Sequence, residues 1–158
     1  EAELGNPHEA DGMLRDATAL ALEACPVYCG PWCLSAEALY GQDRDRARAL
    51  LRQGEALLAR GCVSHNYLEF YRHAIEFSLR GGDFDGAARH AAALEAYTGG
   101  DPLPWAEVII RRARLLGAAR GGTGKDLPAR LERLEADIVA MGFLWLLPGL
   151  AEARAGHR

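Results

Sequence analysis

The chain has 158 residues, a mass of 17.1 kDa and a formal net charge of −4. Its hydrophobic fraction of 49% and charged fraction of 25% are those of a globular chain and exclude a disordered one. The acidic balance lacks the broad basic footprint of a nucleic-acid binder, and no apolar run approaches the roughly 18 residues of a membrane span.

Ala occurs 29 times and Leu 23 times, against 11 for Val, Ile and Thr together. Ala and Leu lose little side-chain entropy in a helix, whereas β-branched residues favour strands. No window alternates apolar and polar residues over the length of a strand. The reading is all-α, with about seven to eight helices and no sheet.

In chain order, the first helix is expected from Glu9 to Ala24, with Leu14, Ala17, Ala21 and Leu22 on one face. With no repeat before it, that stripe is expected to be exposed, and to self-associate unless upstream repeats cover it. Pro26 and the Gly30-Pro31 pair are expected to break the chain. A short second helix then follows from Trp32 to Tyr40, with Pro31 in its first turn. The third runs from Arg44 to Arg60, and Gly61 ends it where a left-handed cap is usual. The fourth covers His65 to Leu79, after Ser64 as N-cap. Its apolar residues fall on two faces: Leu68, Tyr71, Ile75 and Leu79 form one, and Tyr67, Phe70, Ala74 and Phe77 the other. Such a helix is buried between neighbours.

Asp83 is the expected N-cap of the fifth helix, which ends near Thr98-Gly99-Gly100. The sixth spans Leu103 to Arg120. In the seventh, Leu127, Leu131, Leu134, Ile138 and Met141 make a narrow seam of alternating steps of four and three, and Gly142 stops it. A last helix is expected from Trp145 to Arg154, dented by Pro148.

These helices pair into antiparallel hairpins over about 31–60, 65–98 and 103–142. In the second, Tyr71, Ala74, Gly82, Phe84, Ala87, Ala91 and Leu94 occupy the large, small and turn positions of a tetratricopeptide unit, with Ser78 in place of the usual aromatic. Ala47 and Ala87 are 40 residues apart, longer than the 34 of that repeat. The expectation is one helical-repeat domain over 1–158: a divergent tetratricopeptide-like solenoid, cut from a longer polypeptide.

Several clusters carry candidate chemistry. Cys25, Cys29 and Cys33 recur at steps of four, and Cys62 precedes His65 by three. Zinc takes thiolate and imidazole ligands tetrahedrally, so these five residues are the one candidate metal set. Their spacing is not that of matched ligand pairs, and Pro26, Gly30 and Pro31 are expected to keep the three cysteines off one helix. The favoured reading is mostly buried, unmetallated thiols that pack as small hydrophobes. Gly121-Gly122-Thr123-Gly124-Lys125-Asp126 ends like a phosphate-binding loop. Ala119 stands where that motif needs Gly, and Asp126 where it needs Ser or Thr, so a plain inter-helix loop is read instead. Cys62 with His65 is the only local thiol–imidazole pair. Glu132, Glu135 and Asp137 read as a solvated charged face. No catalytic residue and no cofactor are assigned.

Four segments carry a resemblance. They are Cys29-Gly30-Pro31-Trp32, the stretch from Glu55 to Leu68, Phe70 to Ile75, and Leu94 to Thr98 with Pro102 to Trp105. In this order they resemble the C-terminal helical-repeat region of bacterial adenylate/guanylate cyclase proteins. In that family a class III cyclase domain and an AAA-type ATPase module precede a tetratricopeptide-like tail. The resemblance implies a non-catalytic, cytoplasmic module for protein interaction or regulation, its partner another protein or the upstream domains of the same polypeptide. None of the family's catalytic motifs lies in the chain. The partner-binding candidates sit on the fourth helix and at the start of the sixth: His65, Asn66, Tyr67, Phe70, Tyr71, Arg72, His73 and Trp105. The alternatives are a small metal- or thiol-dependent protein using the Cys/His cluster, and a ligand pocket lined by Tyr67, Tyr71 and Trp105.

Overall fold

The computed structural model describes residues 6–122 and 126–155. Every regular element among them is helical, and helix makes up 81% of the structure. The eight α-helices are α1 (Pro7–Ala24), α2 (Pro26–Tyr40), α3 (Arg44–Leu58), α4 (Ser64–Arg80), α5 (Phe84–Thr98), α6 (Pro104–Arg120), α7 (Leu127–Ala140) and α8 (Leu150–Ala155). A 3-10 turn, Leu144–Leu146, stands between α7 and α8. Thr123, Gly124 and Lys125 of the glycine-rich loop lie outside the described residues.

The contacts divide the chain into two compact units, Glu1–Phe77 and Ser78–Arg158. In the first, α2 packs against both α1 and α3. Its core is Leu34, Ala38, Ala47, Leu50, Leu51, Leu58, Phe70 and Ala74, with Leu22, Leu57, Cys62, Tyr67, Tyr71 and Phe77 partly buried against it. The two-faced pattern of α4 has its physical reason here: Phe70, Ala74 and Ile75 are fully buried and lie on both of its apolar rows. Gly54 on α3 lets the Phe70 ring approach; a Cβ there would stand 2.3 Å from Phe70 Cε2. At the N-terminus of α3 the Asp43 carboxylate accepts from the N–H groups of Asp45 (3.0 Å) and Arg46 (2.9 Å). These are two of the donors that a helix leaves unpaired at its start.

In the second unit α6 packs against α5, α7 and α8. Ala87, Ala91, Leu94, Ala106 and Ala113 are buried, as are Leu127, Leu131, Leu134 and Ile138 of the α7 seam. Asp83 caps α5 by accepting from Gly86 N at 2.8 Å. Gly61, Gly82 and Gly142 each end a helix at positive φ, between 72° and 92°. Gly is the residue that meets no Cβ penalty there.

Two expected boundaries are corrected. First, α2 begins at Pro26 and runs unbroken through Pro31, so the first hairpin starts at 26 and not 31. Proline is tolerated at N1, where its missing N–H is an orphan anyway. Pro31 inside the helix needs a separate explanation, given below. Second, the expected last helix over Trp145 to Arg154 is the 3-10 turn and α8. Pro148 and Gly149, at φ +85°, separate them. The stripe on α1 divides as well: Ala21 is buried and Leu14 and Leu22 half-buried, while Ala17 is exposed.

Candidate functional site

An interior proline removes one rung of the helix and crowds the carbonyl four residues back. For Pro31 that carbonyl belongs to Val27. It accepts instead from Val63 N at 3.2 Å and from Asn66 Nδ2 at 3.3 Å. The same Nδ2 donates to Tyr28 O at 2.7 Å, and Asn66 Oδ1 accepts from Trp32 N at 3.2 Å. Tyr28 O and Trp32 N are the two ends of the next helical rung, so the Asn66 amide stands across the ladder of α2. Insertion of a side chain into the ladder is an established cause of bent helices. Asn66 is fully buried and satisfies its amide entirely with backbone, Val63 O included.

This tie sets the outer face of α2. Tyr28 and Trp32 are one turn apart and point outward, 60% and 44% exposed. The half-buried His65 ring packs edge-on to both, with ring centroids 5.2 Å from Tyr28 and 5.9 Å from Trp32. Val27 and Val63 are exposed beside them. The result is a patch of two aromatics, two valines and one imidazole on residues that the Asn66 tie holds in place.

The remaining residues singled out on α4 do other things. Tyr67 donates its hydroxyl to Leu58 O at 2.9 Å and accepts from Cys62 N at 3.3 Å, closing the α3–α4 loop. Phe70 is core, and Tyr71 lies edge-on to it at 5.4 Å. Arg72 pairs with Glu69 at 2.6 Å and also reaches His73 Nε2 at 2.9 Å. His73 is buried, with Nδ1 at 3.0 Å from Ser35 Oγ. Ser35 gives its own proton to Trp32 O at 2.9 Å. Arg72 therefore donates to Nε2, and the His73 proton sits on Nδ1, directed at Ser35. The Ser35–His73 pair is sealed from solvent, which removes it as a nucleophile and base. Asn66, Phe70 and His73 are thus interior residues. Trp105 is half-buried at the start of α6 and belongs to the second unit.

All four cysteines are free thiols and half-buried. Because α2 is continuous, Cys29 and Cys33 share it, and Cys25 is at once the residue that ends α1 and the N-cap of α2. Cys25 Sγ and Cys29 Sγ are 3.2 Å apart. Burial, reinforced by a hydrogen bond to Cys25 and the nearby Cys33 and Cys25 sulfurs, pushes the Cys29 thiol up to about 12. Burial also raises Cys33 and Cys62. Reactive catalytic thiols show the opposite shift. Cys62 Sγ donates to Leu57 O at 3.4 Å, and the His65 ring lies against Tyr28 and Trp32. No three His, Cys, Asp or Glu side chains converge on a possible metal position among the described residues.

The patch could have been found in the sequence by the spacing of Tyr28 and Trp32. Reading Pro31 as a helix break concealed it, because the break put the two residues on different elements. No protein-family model matches the chain, and neither do any of the curated proteins or solved structures compared with it.

Proposed function

We propose that the chain is a non-catalytic helical-repeat module that binds a protein through the Tyr28–Trp32–His65 face. The observation that carries this reading is the exposure of two large aromatics on a helix tied down by a buried amide. Aromatics held rigidly at a surface lose little entropy on binding and are the usual anchors of protein interfaces. The apolar valines beside them fit the same use.

The finer identity rests on the resemblance. In this reading the hairpins form a divergent tetratricopeptide-like array and serve a bacterial signalling protein of nucleotide-cyclase and ATPase type. Burial of Ala74, Ala87, Ala91 and Leu94, small and large positions of that repeat, supports the array. So does Gly82 in the left-handed turn at φ +72°. The partner is the upstream part of the same polypeptide, and the setting is cytoplasmic. No helix among the described residues is long and apolar enough to cross a membrane, in keeping with that setting.

Two measurements test the two halves. The reading frame that encodes the chain is expected to include cyclase and ATPase domains; their absence ends the parent assignment. Trp32→Ser together with Tyr28→Ser is expected to weaken binding to those upstream domains at least tenfold with thermal stability nearly unchanged. Unchanged binding would remove the patch as the interface.

A further inference from the structure

Cys25 and Cys29 bring two free thiols together where α1 meets α2. We propose that Cys25 and Cys29 are a thiol modification site that closes to a reversible intramolecular disulfide at the α1–α2 joint, with a small-molecule disulfide as oxidant.

Three observations support it. The sulfurs already stand 3.2 Å apart. The turn between the residues is formed, since Cys29 N donates to Cys25 O at 3.2 Å. That spacing places their Cα atoms about 6 Å apart by helix geometry, inside the range a disulfide spans. Finally, Cys25 lies outside the helical region, at φ −153° and ψ 59°, and belongs to the joint between two helices. Its Cβ is therefore not fixed by the helix.

The last point separates this pair from its neighbour. Cys29 and Cys33 are both inside α2, where residues four apart hold their Cβ atoms about 5–6 Å from each other. A disulfide needs roughly 3.5–4.5 Å, so Cys29–Cys33 closes only by opening a helical turn. Cys25 is the capping residue, so adjusting it opens no turn inside α2.

The chemistry balances. Cys25 loses its proton to solvent and attacks one sulfur of the small disulfide RSSR, giving Cys25–S–S–R and releasing RS⁻, which takes up a proton. Cys29 Sγ then attacks Cys25 Sγ, forms the intramolecular bond and expels the second RS⁻, to which the Cys29 proton passes. Two protein thiols are oxidised, and one disulfide is reduced to two RSH. Cys25 is the entry sulfur because the residues around it, Glu23, Ala24, Val27 and Tyr28, are exposed.

The test uses the full chain, reduced and then incubated with excess oxidised glutathione, with thiols counted after denaturation. Cleavage after Tyr28 and Trp32 separates the three cysteines onto three fragments, which stay joined only through a disulfide. The expected result is loss of two of the four thiols, with the fragment ending at Tyr28 joined to the one carrying Cys29. Dithiothreitol should restore all four. Cys33→Ser should behave in the same way, Cys29→Ser should hold one glutathione on Cys25 without a bridge, and Cys25→Ser should form no bridge. Survival of four thiols in the wild-type chain overturns the proposal. So does a bridge mapped to Cys29 and Cys33, or one between two chains.

Discussion

Pro31 and Asn66 are complementary across the first unit. Pro31 lacks the N–H that the Val27 carbonyl requires, and Asn66 Nδ2 donates to that carbonyl at 3.3 Å. The same amide spans Tyr28 O and Trp32 N, the next rung of α2. A proline inside a helix costs about 3 kcal/mol when nothing replaces its hydrogen bond. Here Asn66, 35 positions later in the chain, and the Val63 N–H supply the replacement. The local irregularity of α2 is thereby coupled to the docking of α4 in the same unit.

Asn66→Ala should therefore be strongly destabilising. It deletes a fully buried amide and strands the Tyr28 carbonyl and the Trp32 N–H, leaving Val27 O with Val63 N alone, for an expected loss of about 2–4 kcal/mol. In a Pro31→Ala background residue 31 regains its N–H, and the cost of Asn66→Ala should fall by about 1 kcal/mol. Urea unfolding of the four proteins in this cycle measures the coupling. Additive losses would show that Asn66 does not act through the Pro31 gap.

Much of the fold was legible because it rests on local signals. The α7 seam, the caps at Asp83 and the glycine stops at Gly61, Gly82 and Gly142 all depend on residues within one or two turns of each other. The two-faced character of α4 follows from the spacing of its apolar residues. The site was less legible. Pro31 reads as a helix breaker on local grounds, and Asn66 and the Val63 N–H, distant in sequence, make it tolerable. From that one misreading came the short second helix, the scattered cysteines and the missed Tyr28–Trp32 face. His73 and Asn66 misled for a related reason. Polar residues beside aromatics suggest a binding surface, yet here their polar atoms are spent on Ser35, Arg72 and the α2 backbone.

The thiols give a pH dependence whose sign is fixed. Cys29 rises from the ordinary thiol value of 9.0 to about 12 on folding, first through burial. Below pH 9 the thiol is protonated in both states and contributes no slope. Between about 9 and 12 the unfolded chain has lost this proton and the folded chain keeps it, so stability falls as pH rises. Cys33 and Cys62 shift in the same direction and add to the effect. Guanidinium unfolding across pH 8 to about 11 should show the decline, and Cys29→Ala should make it shallower. An identical slope in that variant would assign the effect elsewhere.

Asp43 anchors the start of α3 through two backbone donors. Asp43→Ala should cost about 1 kcal/mol, and Asp43→Asn, which keeps an acceptor oxygen, should cost much less. Comparison of thermal midpoints for the two variants tests this. Equal losses would mean that the carboxylate charge, and not the cap, is what matters.

Two glycines inside helices should respond to alanine in opposite directions. Glycine at a helix interior is less favourable than alanine by roughly 0.5–1 kcal/mol, so the exchange stabilises wherever there is room. Gly12 on α1 has open space where its Cβ would go, and Gly12→Ala should gain up to that amount. At Gly54 the added Cβ would fall 2.3 Å from Phe70 Cε2 and 2.9 Å from Cδ2. Phe70 is fully buried among Leu34, Leu50, Leu58 and Ala74, so its ring has no free volume to retreat into. Overpacking of this kind typically costs about 1–3 kcal/mol and outweighs the propensity gain. Gly54→Ala should lower stability, and Phe70→Leu in the same chain should recover part of the loss by vacating the space. Denaturant midpoints for the single and double variants decide it: a Gly54→Ala protein as stable as the parent would show that α3 and α4 separate more easily than this packing allows.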